Sequence, residues 1–207
     1  MAESKQPGSK EKLDALRAAM AAAGVDGYIV PHTDEFQCEY TPDSANRLEW
    51  LTGFTGSAGN AVILKDKALV ATDGRYTEQI KRQIDHAAFA WSDQKDHVEW
   101  LLKNAAPGAK IGFDPMLMTV EELDGLREVC RAKKITLVPL PDNLVDPLWT
   151  DRPAEPASKV FLFPDSIAGR TAADNRAAVA KNVQAQGARA VIINKPDSVA
   201  WFLNIRG

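Results

Sequence analysis

The amino-acid sequence predicts an α/β fold, a mixed β-sheet flanked by helices, followed by an incomplete second copy of the same arrangement. Short apolar runs of strand length alternate with longer segments of helical spacing along most of the chain. Residues 61–64 and 68–72 are two apolar runs joined by Lys65-Asp66-Lys67, which predicts a hairpin within that alternation. The order helix, glycine, strand and proline occurs twice, at residues 13–31 and 176–196.

The first elements follow from helical spacing and from stop signals. Apolar residues recur at helical spacing from Leu13, so we predict a helix over residues 10–23 with Ser9 as its N-cap and Gly24 as its stop. The elements predicted after it are a strand at 25–30, an irregular segment at 32–44, a short helix at 45–51, the hairpin, a helix at 77–84 and a strand at 88–91.

A capping signal predicts the start of a helix after Thr119. Thr119 is followed three residues later by Glu122, which is the pattern of a capping box, and the helix that it opens runs to about Lys133. The other elements predicted here are a helix marked by Val98, Leu101 and Leu102 that ends near Pro107-Gly108, a strand at 110–113 and a strand at 135–140.

A proline-rich stretch interrupts the pattern at residues 141–158. Its prolines at 141, 147, 153 and 156 lie among charged residues, as is typical of a semi-rigid linker. We therefore divide the chain into a disordered tail at 1–10, a first domain at 11–140, this linker at 141–158, and the start of a second domain at 159–207. The elements predicted in the second domain are a strand at 159–163, a helix at 171–186 ended by Gly187, a strand at 189–194 and a last helical turn or two capped by Ser198.

The repeated order continues into a tryptophan-centred segment in each half. Setting Trp50 on Trp201 also sets Gly56 on Gly207, and beyond this point the first copy continues with the hairpin and further strands. Chance similarity between two α/β openings is one explanation. We favour truncation of a second domain of the same type, because a strand pair and a helix cannot close a core alone.

Composition argues against several classes of function. The 25 lysine and arginine residues nearly balance the 28 aspartate and glutamate residues, and no basic stripe is visible, so nucleic acid is not expected as a partner. Cys38 and Cys130 are too few for a disulfide framework or a cysteine-based zinc site, and they predict reduced thiols in a cytoplasmic protein. The apolar stretch 18–23 is too short to span a membrane, and residues 1–12 carry no secretory signal, so no membrane association is expected.

The stretch from Trp50 to Tyr76 carries the candidate site. Its glycines at 53–59 permit a positive φ or a close backbone approach. Asp73-Gly74-Arg75-Tyr76 then turns an apolar strand into a helix, and functional side chains often follow strands in α/β proteins. Asp73 is also a good helix cap, which is compatible with a functional role. The substrate-cleft candidates are Arg75, Tyr76, Asp73 and, at the end of another strand with acidic neighbours, His32.

The residues alone provide no complete catalytic constellation. His86 and His97 lack a second ligand at a helical or strand spacing, and the sequence has no HExxH pattern. Ser57 lacks the strand-to-helix setting of a nucleophile elbow, and the glycines near it match neither a phosphate loop nor a dinucleotide fingerprint. We therefore predict no catalytic residue and no metal site in this chain.

An ordered set of motifs resembles one enzyme family, the long three-domain Xaa-Pro aminopeptidases (aminopeptidase P). Each motif is weak alone, but their order from about residue 11 to residue 207 is specific. The motifs are Gln37-Cys38-Glu39-Tyr40, Leu51-Thr52-Gly53-Phe54-Thr55-Gly56-Ser57-Ala58-Gly59, Thr72-Asp73-Gly74-Arg75-Tyr76, Asn143-Leu144-Val145-Asp146-Pro147-Leu148-Trp149 and Ala200-Trp201-Phe202-Leu203-Asn204-Ile205-Arg206-Gly207.

The resemblance implies two related creatinase-type N-terminal domains, of which this chain holds the first and the start of the second. It implies that the parent protein is a metallopeptidase that cleaves after an N-terminal residue preceding proline. The two metal ions, usually manganese, belong to a catalytic domain that lies outside this sequence. The resemblance further implies a homodimer, with N-terminal domains that mediate dimerisation and wall the active-site entrance. Creatinase and prolidase are relatives with one such N-terminal copy, so the second copy favours aminopeptidase P.

Two hypotheses of function follow. In the first, this chain is the non-catalytic N-terminal portion of an Xaa-Pro aminopeptidase, inactive alone, and Arg75 could bind a peptide carboxylate in bidentate fashion. In the second, it is a stand-alone creatinase-type interaction module without peptidase activity. The coding sequence beyond Gly207 discriminates between them, since a continuation with spaced Asp, His and Glu residues favours the peptidase.

Overall fold

The computed structural model describes residues 8–93 and 96–207, which form two compact units. The first unit comprises the described residues up to Glu35 together with Glu39–Ala154. The second comprises Phe36–Cys38 and Glu155–Gly207. Residues 1–7 of the predicted tail lie outside the described residues, and the chain is already helical at Ser9.

The first unit has the predicted α/β composition. Its helices are α1 (Ser9–Ala22), α2 (Arg47–Thr52), α3 (Thr77–Gln83), α4 (His97–Asn104) and α5 (Val120–Arg131). Its strands are β1 (Gly27–Pro31), β2 (Asn60–Leu64), β3 (Ala68–Thr72), β4 (Ala90–Asp93), β5 (Lys110–Phe113) and β6 (Thr136–Pro139). Short 3-10 helices lie at Asp43–Ala45, Gly74–Tyr76, Pro115–Leu117 and Asp146–Leu148.

The six strands form one mixed sheet in the order β4-β3-β2-β1-β5-β6. The predicted hairpin is confirmed, since β2 pairs antiparallel with β3 and with β1. The pairs β3–β4, β1–β5 and β5–β6 are parallel. The predicted class, a mixed sheet flanked by helices, is therefore confirmed.

Each face of the sheet packs on its own apolar cluster. One cluster joins Leu13, Leu16 and Met20 of α1 to Val30 and Val70 of the central strands. The opposite cluster joins Ile29 and Val62 of the sheet to Leu101 of α4 and Leu126 of α5. Helices on both faces explain why β2 and β3 read as almost continuous apolar runs rather than as alternating ones.

Gly8, rather than the predicted Ser9, is the N-cap of α1. Glycine has no side chain to accept from the N–H groups of the first turn, but the Gly8 backbone N–H donates to Glu11 Oε2 at 3.1 Å, which is the carboxylate contact of a capping box. The predicted stop is confirmed, because Gly24 has a φ of +70°. The Thr119 capping box is also confirmed, with Thr119 Oγ1 accepting from the Glu122 N–H at 3.2 Å.

Residues 143–152, which we call the strap, pack into the first unit, although they lie within the predicted linker 141–158. Val145 is fully buried, and the Trp149 ring stacks on Trp50 with centroids 5.9 Å apart. The Asp146 carboxylate accepts from Arg47 Nε at 2.6 Å and lies 2.7 Å from Arg152 Nη1. Proline fixes local backbone angles without preventing burial, so apolar packing and a partly buried ion pair hold this segment against α1 and α2.

The second unit contains α6 (Asp165–Ala168), α7 (Ala172–Ala185), α8 (Pro196–Leu203) and a two-stranded sheet of β7 (Phe161–Leu162) and β8 (Ile205–Arg206). Its helices repeat two details of the first unit. Both α1 and α7 are 14 residues long, and a glycine of positive φ, Gly24 or Gly187, follows two residues after each. The residue three positions after each central tryptophan, Gly53 or Asn204, ends its helix with a positive φ as well.

Two predictions for the second unit are wrong. Residues 189–194 form no strand, and Ile192 is 91% exposed, because none of the described residues pairs with this segment and a strand exists only through a partner. The last helix begins at Pro196 rather than at a Ser198 cap, since proline is well suited to the first helical position.

Candidate functional site

The candidate residues lie at one edge of the six-stranded sheet. Because β2 is antiparallel to both β1 and β3, the strands β1 and β3 run in the same direction and end at the same edge. His32 directly follows β1, and Asp73 directly follows β3. In open α/β sheets this carboxyl edge is where ligands bind, so the sheet places both predicted residues at a plausible binding edge.

Between them runs the glycine loop, residues 53–59, whose glycines are required by close contacts. Gly53 has a φ of +79° and ends α2. A Cβ added at Gly56 would lie 2.2 Å from the Phe54 ring, and one at Gly59 would lie 2.8 Å from the Ala71 carbonyl oxygen. Thr72 Oγ1 donates to the Ala58 carbonyl at 2.6 Å. The loop is therefore fixed against the end of β3, and only glycine fits at its two tightest points.

Asp73 and Arg75 form one hydrogen-bonded unit on this edge. Asp73 Oδ1 accepts from the Arg75 backbone N–H at 2.9 Å and so caps the 3-10 turn Gly74–Tyr76, whereas the following helix α3 has Tyr76 as its N-cap. The Arg75 side chain also donates to this carboxylate, from Nε at 3.0 Å and from Nη2 at 2.8 Å. Hydrogen bonds from Arg75 hold the pKa of Asp73 below its usual range, so the pair is ionised at neutral pH. The Arg75 side chain is 60% exposed, and its contact with Asp73 uses Nε and Nη2 but not Nη1.

Tyr76 connects Arg75 to the glycine loop. Its hydroxyl lies 2.8 Å from Ser57 Oγ, and its ring packs edge-on against Phe54 with centroids 5.9 Å apart. The Arg75 guanidinium carbon lies 5.1 Å from the centre of the Tyr76 ring. Three of the predicted residues are thus in mutual contact, and Ser57, which lacked a nucleophile's setting, holds Tyr76 in place.

His32 reaches the other end of the glycine loop. Its backbone N–H donates to the Gly59 carbonyl at 2.9 Å, and its ring hydrogen-bonds the Glu39 backbone. Burial lowers the pKa of His32 more than its acidic neighbours raise it, so the imidazole is neutral at pH 7. The buried Nε2 atom has no hydrogen-bond partner in the described part of the chain. His32 therefore supports the loop and does not contact Arg75.

A small cleft of about 160 Å³ opens beside these residues. His32, Ser57, Glu39 and Glu49 line it, together with the 84% exposed Tyr40. Glu39 is close enough to Arg75 to favour its charged form, so the cleft and the Asp73–Arg75 pair share one electrostatic environment. Sequence reasoning missed Glu39 and Glu49 as cleft residues, because only the tertiary structure brings Glu39 of the irregular segment beside Glu49 of α2.

The hydrogen-bond partner of Ser57 is not a catalytic base. Ser57 Oγ is hydrogen-bonded to a tyrosine hydroxyl, which is a poor base at neutral pH. Within residues 8–93 and 96–207, no group of three or more His, Cys, Asp or Glu side chains is arranged to hold a metal ion. The residues described therefore do not fit a metal centre. None of the helices described is long and apolar enough to cross a membrane.

Comparison with known proteins identifies relatives over both units. Residues 12–147 match the family described as the creatinase/prolidase N-terminal domain, and residues 151–207 match a second family model of the same description. The chain is 37% identical over 205 residues to the "Probable Xaa-Pro aminopeptidase P" of Neosartorya fischeri, covering 95% of this chain and 31% of that protein. It is 36% identical to the protein of the same name from Penicillium rubens, of which it covers 33%.

Solved structures give the same result. The crystal structure of X-prolyl aminopeptidase from Caenorhabditis elegans, described as a cytosolic enzyme with a di-nuclear active site, matches 97% of this chain with a TM-score of 0.87 and 31% identity. This chain covers 35% of that enzyme. The N-terminal domain of cytoplasmic peptidase PepQ from Mycobacterium tuberculosis matches 67% of this chain with a TM-score of 0.53 and 28% identity. The chain thus spans about a third of the length of the curated relatives that it matches.

Proposed function

Because this chain belongs to the creatinase/prolidase N-terminal domain family, we propose that it is the non-catalytic N-terminal portion of a metal-dependent Xaa-Pro aminopeptidase. The proposed reaction of the whole protein is hydrolysis of the bond between an N-terminal residue and a following proline. In this proposal the chain binds no metal itself and contributes to the walls of the substrate entrance.

One observation carries the proposal. The likeness to the Caenorhabditis elegans X-prolyl aminopeptidase extends over 97% of the chain and therefore over both family matches, residues 12–147 and 151–207. A likeness to a protein that shares both modules favours aminopeptidase P over relatives that share one.

The face formed by the glycine loop, Asp73, Arg75 and Tyr76 is proposed to border the active-site cleft of the complete enzyme, either its own or that of a neighbouring subunit. Asp73 already occupies the Nε side of the Arg75 guanidinium, so a peptide carboxylate would bind at the outer Nη1/Nη2 edge. The bidentate contact predicted from the sequence is compatible with this edge. A wall at this position narrows the cleft and excludes long or bulky peptides sterically.

The remaining expectations belong to the same proposal. The whole protein is proposed to use two divalent ions, manganese as the family resemblance implies, to activate water in a domain outside this chain. The di-nuclear site of the Caenorhabditis elegans enzyme supports two metals, and its description as cytosolic supports a cytoplasmic location. A homodimer is proposed from the family resemblance alone.

The test uses the full-length protein and the isolated chain, each with Mn²⁺ and an Xaa-Pro-Xaa peptide. We expect the full-length protein to release the N-terminal residue and the isolated chain to release none. The control is the same peptide with alanine in place of proline, which should be a poor substrate. Turnover by the isolated chain, free of contaminating peptidase, contradicts the non-catalytic assignment. A full-length protein that cleaves neither peptide favours the interaction-module hypothesis.

A further inference from the structure

An apolar groove lies on the face of the sheet opposite the strap. It opens where β1 ends, between α4 and α5, and encloses about 350 Å³. Ile29, Val98 and Leu126 form apolar walls, and the 39% exposed Val129 extends them to the rim. The size and the lining are those of a site that accepts one or two large apolar side chains.

A glycine in the middle of α5 forms part of the groove lining. Gly125 lines the groove although it lies within a regular helix, where glycine is less favourable than alanine. A Cβ added at Gly125 would meet no atom within 4 Å, so the packing of this chain does not require a glycine there. The missing side chain leaves room for the close approach of another molecule.

The rim of the groove is acidic. Glu121 and Glu122 lie along it, whereas no lysine or arginine lines it. Glu122 is engaged with Thr119 in the capping box, but the exposed Glu121 carboxylate has no ion-pair partner in the described part of the chain. A ligand that places a cationic side chain beside an apolar one would complement both the charge and the lining.

We propose that this groove docks an amphipathic helix of a partner protein, with apolar anchors in the groove and lysine or arginine against Glu121. The stretch of α5 from Glu121 to Val129 is about 12 Å long, just over two turns, which suits anchors at positions i and i+4 of a crossing helix. Gly125, at the centre of this stretch, is where the two helices approach most closely. This surface is independent of the peptidase function proposed above.

The probe is a fluorescein-labelled helical peptide of leucine and lysine in amphipathic order, roughly 15 residues long so that it forms a helix. A matched peptide carries glutamate in place of every lysine. Fluorescence anisotropy measures the binding of both peptides to the chain. We expect the lysine peptide to bind at least about tenfold more tightly than the glutamate peptide.

Variants locate the binding. Val129→Glu and Glu121→Lys should each weaken binding of the lysine peptide by about fivefold or more. The matched controls Val120→Glu and Glu128→Lys alter exposed α5 residues that do not line the groove, and they should change it by less than about twofold. Circular dichroism checks that each variant is folded. Equal binding of both peptides, or equal loss in test and control variants, overturns the proposal. If sedimentation shows self-association that Val129→Glu abolishes, the occupant is a second copy and the proposal is likewise overturned.

Discussion

The Arg75 guanidinium contacts the Asp73 carboxylate and lies over the Tyr76 ring, and these two contacts fix its orientation. They add little to the stability of the fold. The ion pair of Arg75 with Asp73 is largely solvent-exposed, and such pairs contribute little to the free energy of unfolding. Arg47 is the opposite case, because its side chain is 9% exposed and bonds Asp146 through two nitrogens, while its buried Nη1 has no hydrogen-bond partner among the residues described. A buried guanidinium of this kind fastens the strap, whereas an exposed, oriented one is suited to meet a ligand.

Arg75→Ala in the full-length protein tests the substrate role. If Arg75 orients the peptide, kcat/KM should fall by about tenfold or more, roughly 1.4 kcal/mol of transition-state stabilisation, with an unchanged Tm. The matched control is Arg127→Ala, which removes another exposed arginine, paired with Asp124 on α5. Wild-type activity in Arg75→Ala would reduce Arg75 to a surface ion-pair partner. A variant that melts many degrees earlier would make Arg75 structural.

His32 links the stability of the first unit to pH. Burial depresses its pKa in the folded state below the unfolded value of 6.5, so the unfolded chain binds a proton that the folded chain resists. The contribution of neutral His32 to the free energy of unfolding is therefore fully present above pH 6.5 and is lost progressively as the pH decreases below it. We expect urea unfolding at pH 7.0 and pH 5.5 to show a smaller loss for His32→Gln than for the wild type. Equal losses would mean that other groups produce the pH dependence.

At the scale of elements, the sequence predicted strands and caps that depend on neighbouring residues, but it did not predict packing between residues far apart in the chain. The strand Lys110–Phe113 has the predicted bounds, and Asp73 caps the turn two residues ahead, because apolar runs and capping side chains act locally. The strap was misread because Arg47 and Asp146 are 99 positions apart and no spacing rule links them. The strand predicted at 189–194 failed for the same reason, since its apolar pattern supplies no partner.

The candidate site likewise combines contacts between neighbouring residues, which the sequence predicts, with contacts between distant residues, which it does not. The Asp73–Arg75 contact spans two residues and follows from the turn itself. The Ser57–Tyr76 and His32–Gly59 contacts depend on the register of β1, β2 and β3, which sets Pro31 opposite Asn60 and Asn60 opposite Ala71. Sequence alone therefore supplied the residues at the strand ends, while the register supplied the loop that joins them.

Two glycine-to-alanine substitutions should have opposite effects on stability, one in the tightly packed glycine loop and one on the open surface of α5. Gly56→Ala places a methyl group 2.2 Å from the Phe54 ring, so we expect destabilisation of about 1–3 kcal/mol as the loop shifts. Gly125→Ala adds a methyl group in open space within α5, so stabilisation of about 0.5–1 kcal/mol is expected. Urea denaturation of both variants measures these opposite signs. Equal effects would show that the close contact at Gly56 relaxes without cost.

At the scale of the whole molecule, the two units differ in their means of stability. The first has apolar clusters on both faces of a six-stranded sheet. In residues 155–207 the buried side chains are those of Asn175 and Asn204, whereas Leu162 and Ile192 are 82% and 91% exposed. A segment shorter than about 70–80 residues seldom gains enough from apolar burial to fold without further support. The stability of this chain therefore resides in the first unit.

Separate expression of the two segments tests this division. Residues 1–154 should unfold in one cooperative urea transition, because every strand of the six-stranded sheet and both apolar clusters lie within them. Residues 155–207 alone should show no cooperative transition, because their polar node at Asn175 and Asn204 has no apolar core around it. Circular dichroism at increasing urea concentrations measures both segments. The intact chain is the control, and its main transition should coincide with that of residues 1–154. A sharp transition from residues 155–207 alone would contradict this division, because it would show that this segment folds without a buried apolar core.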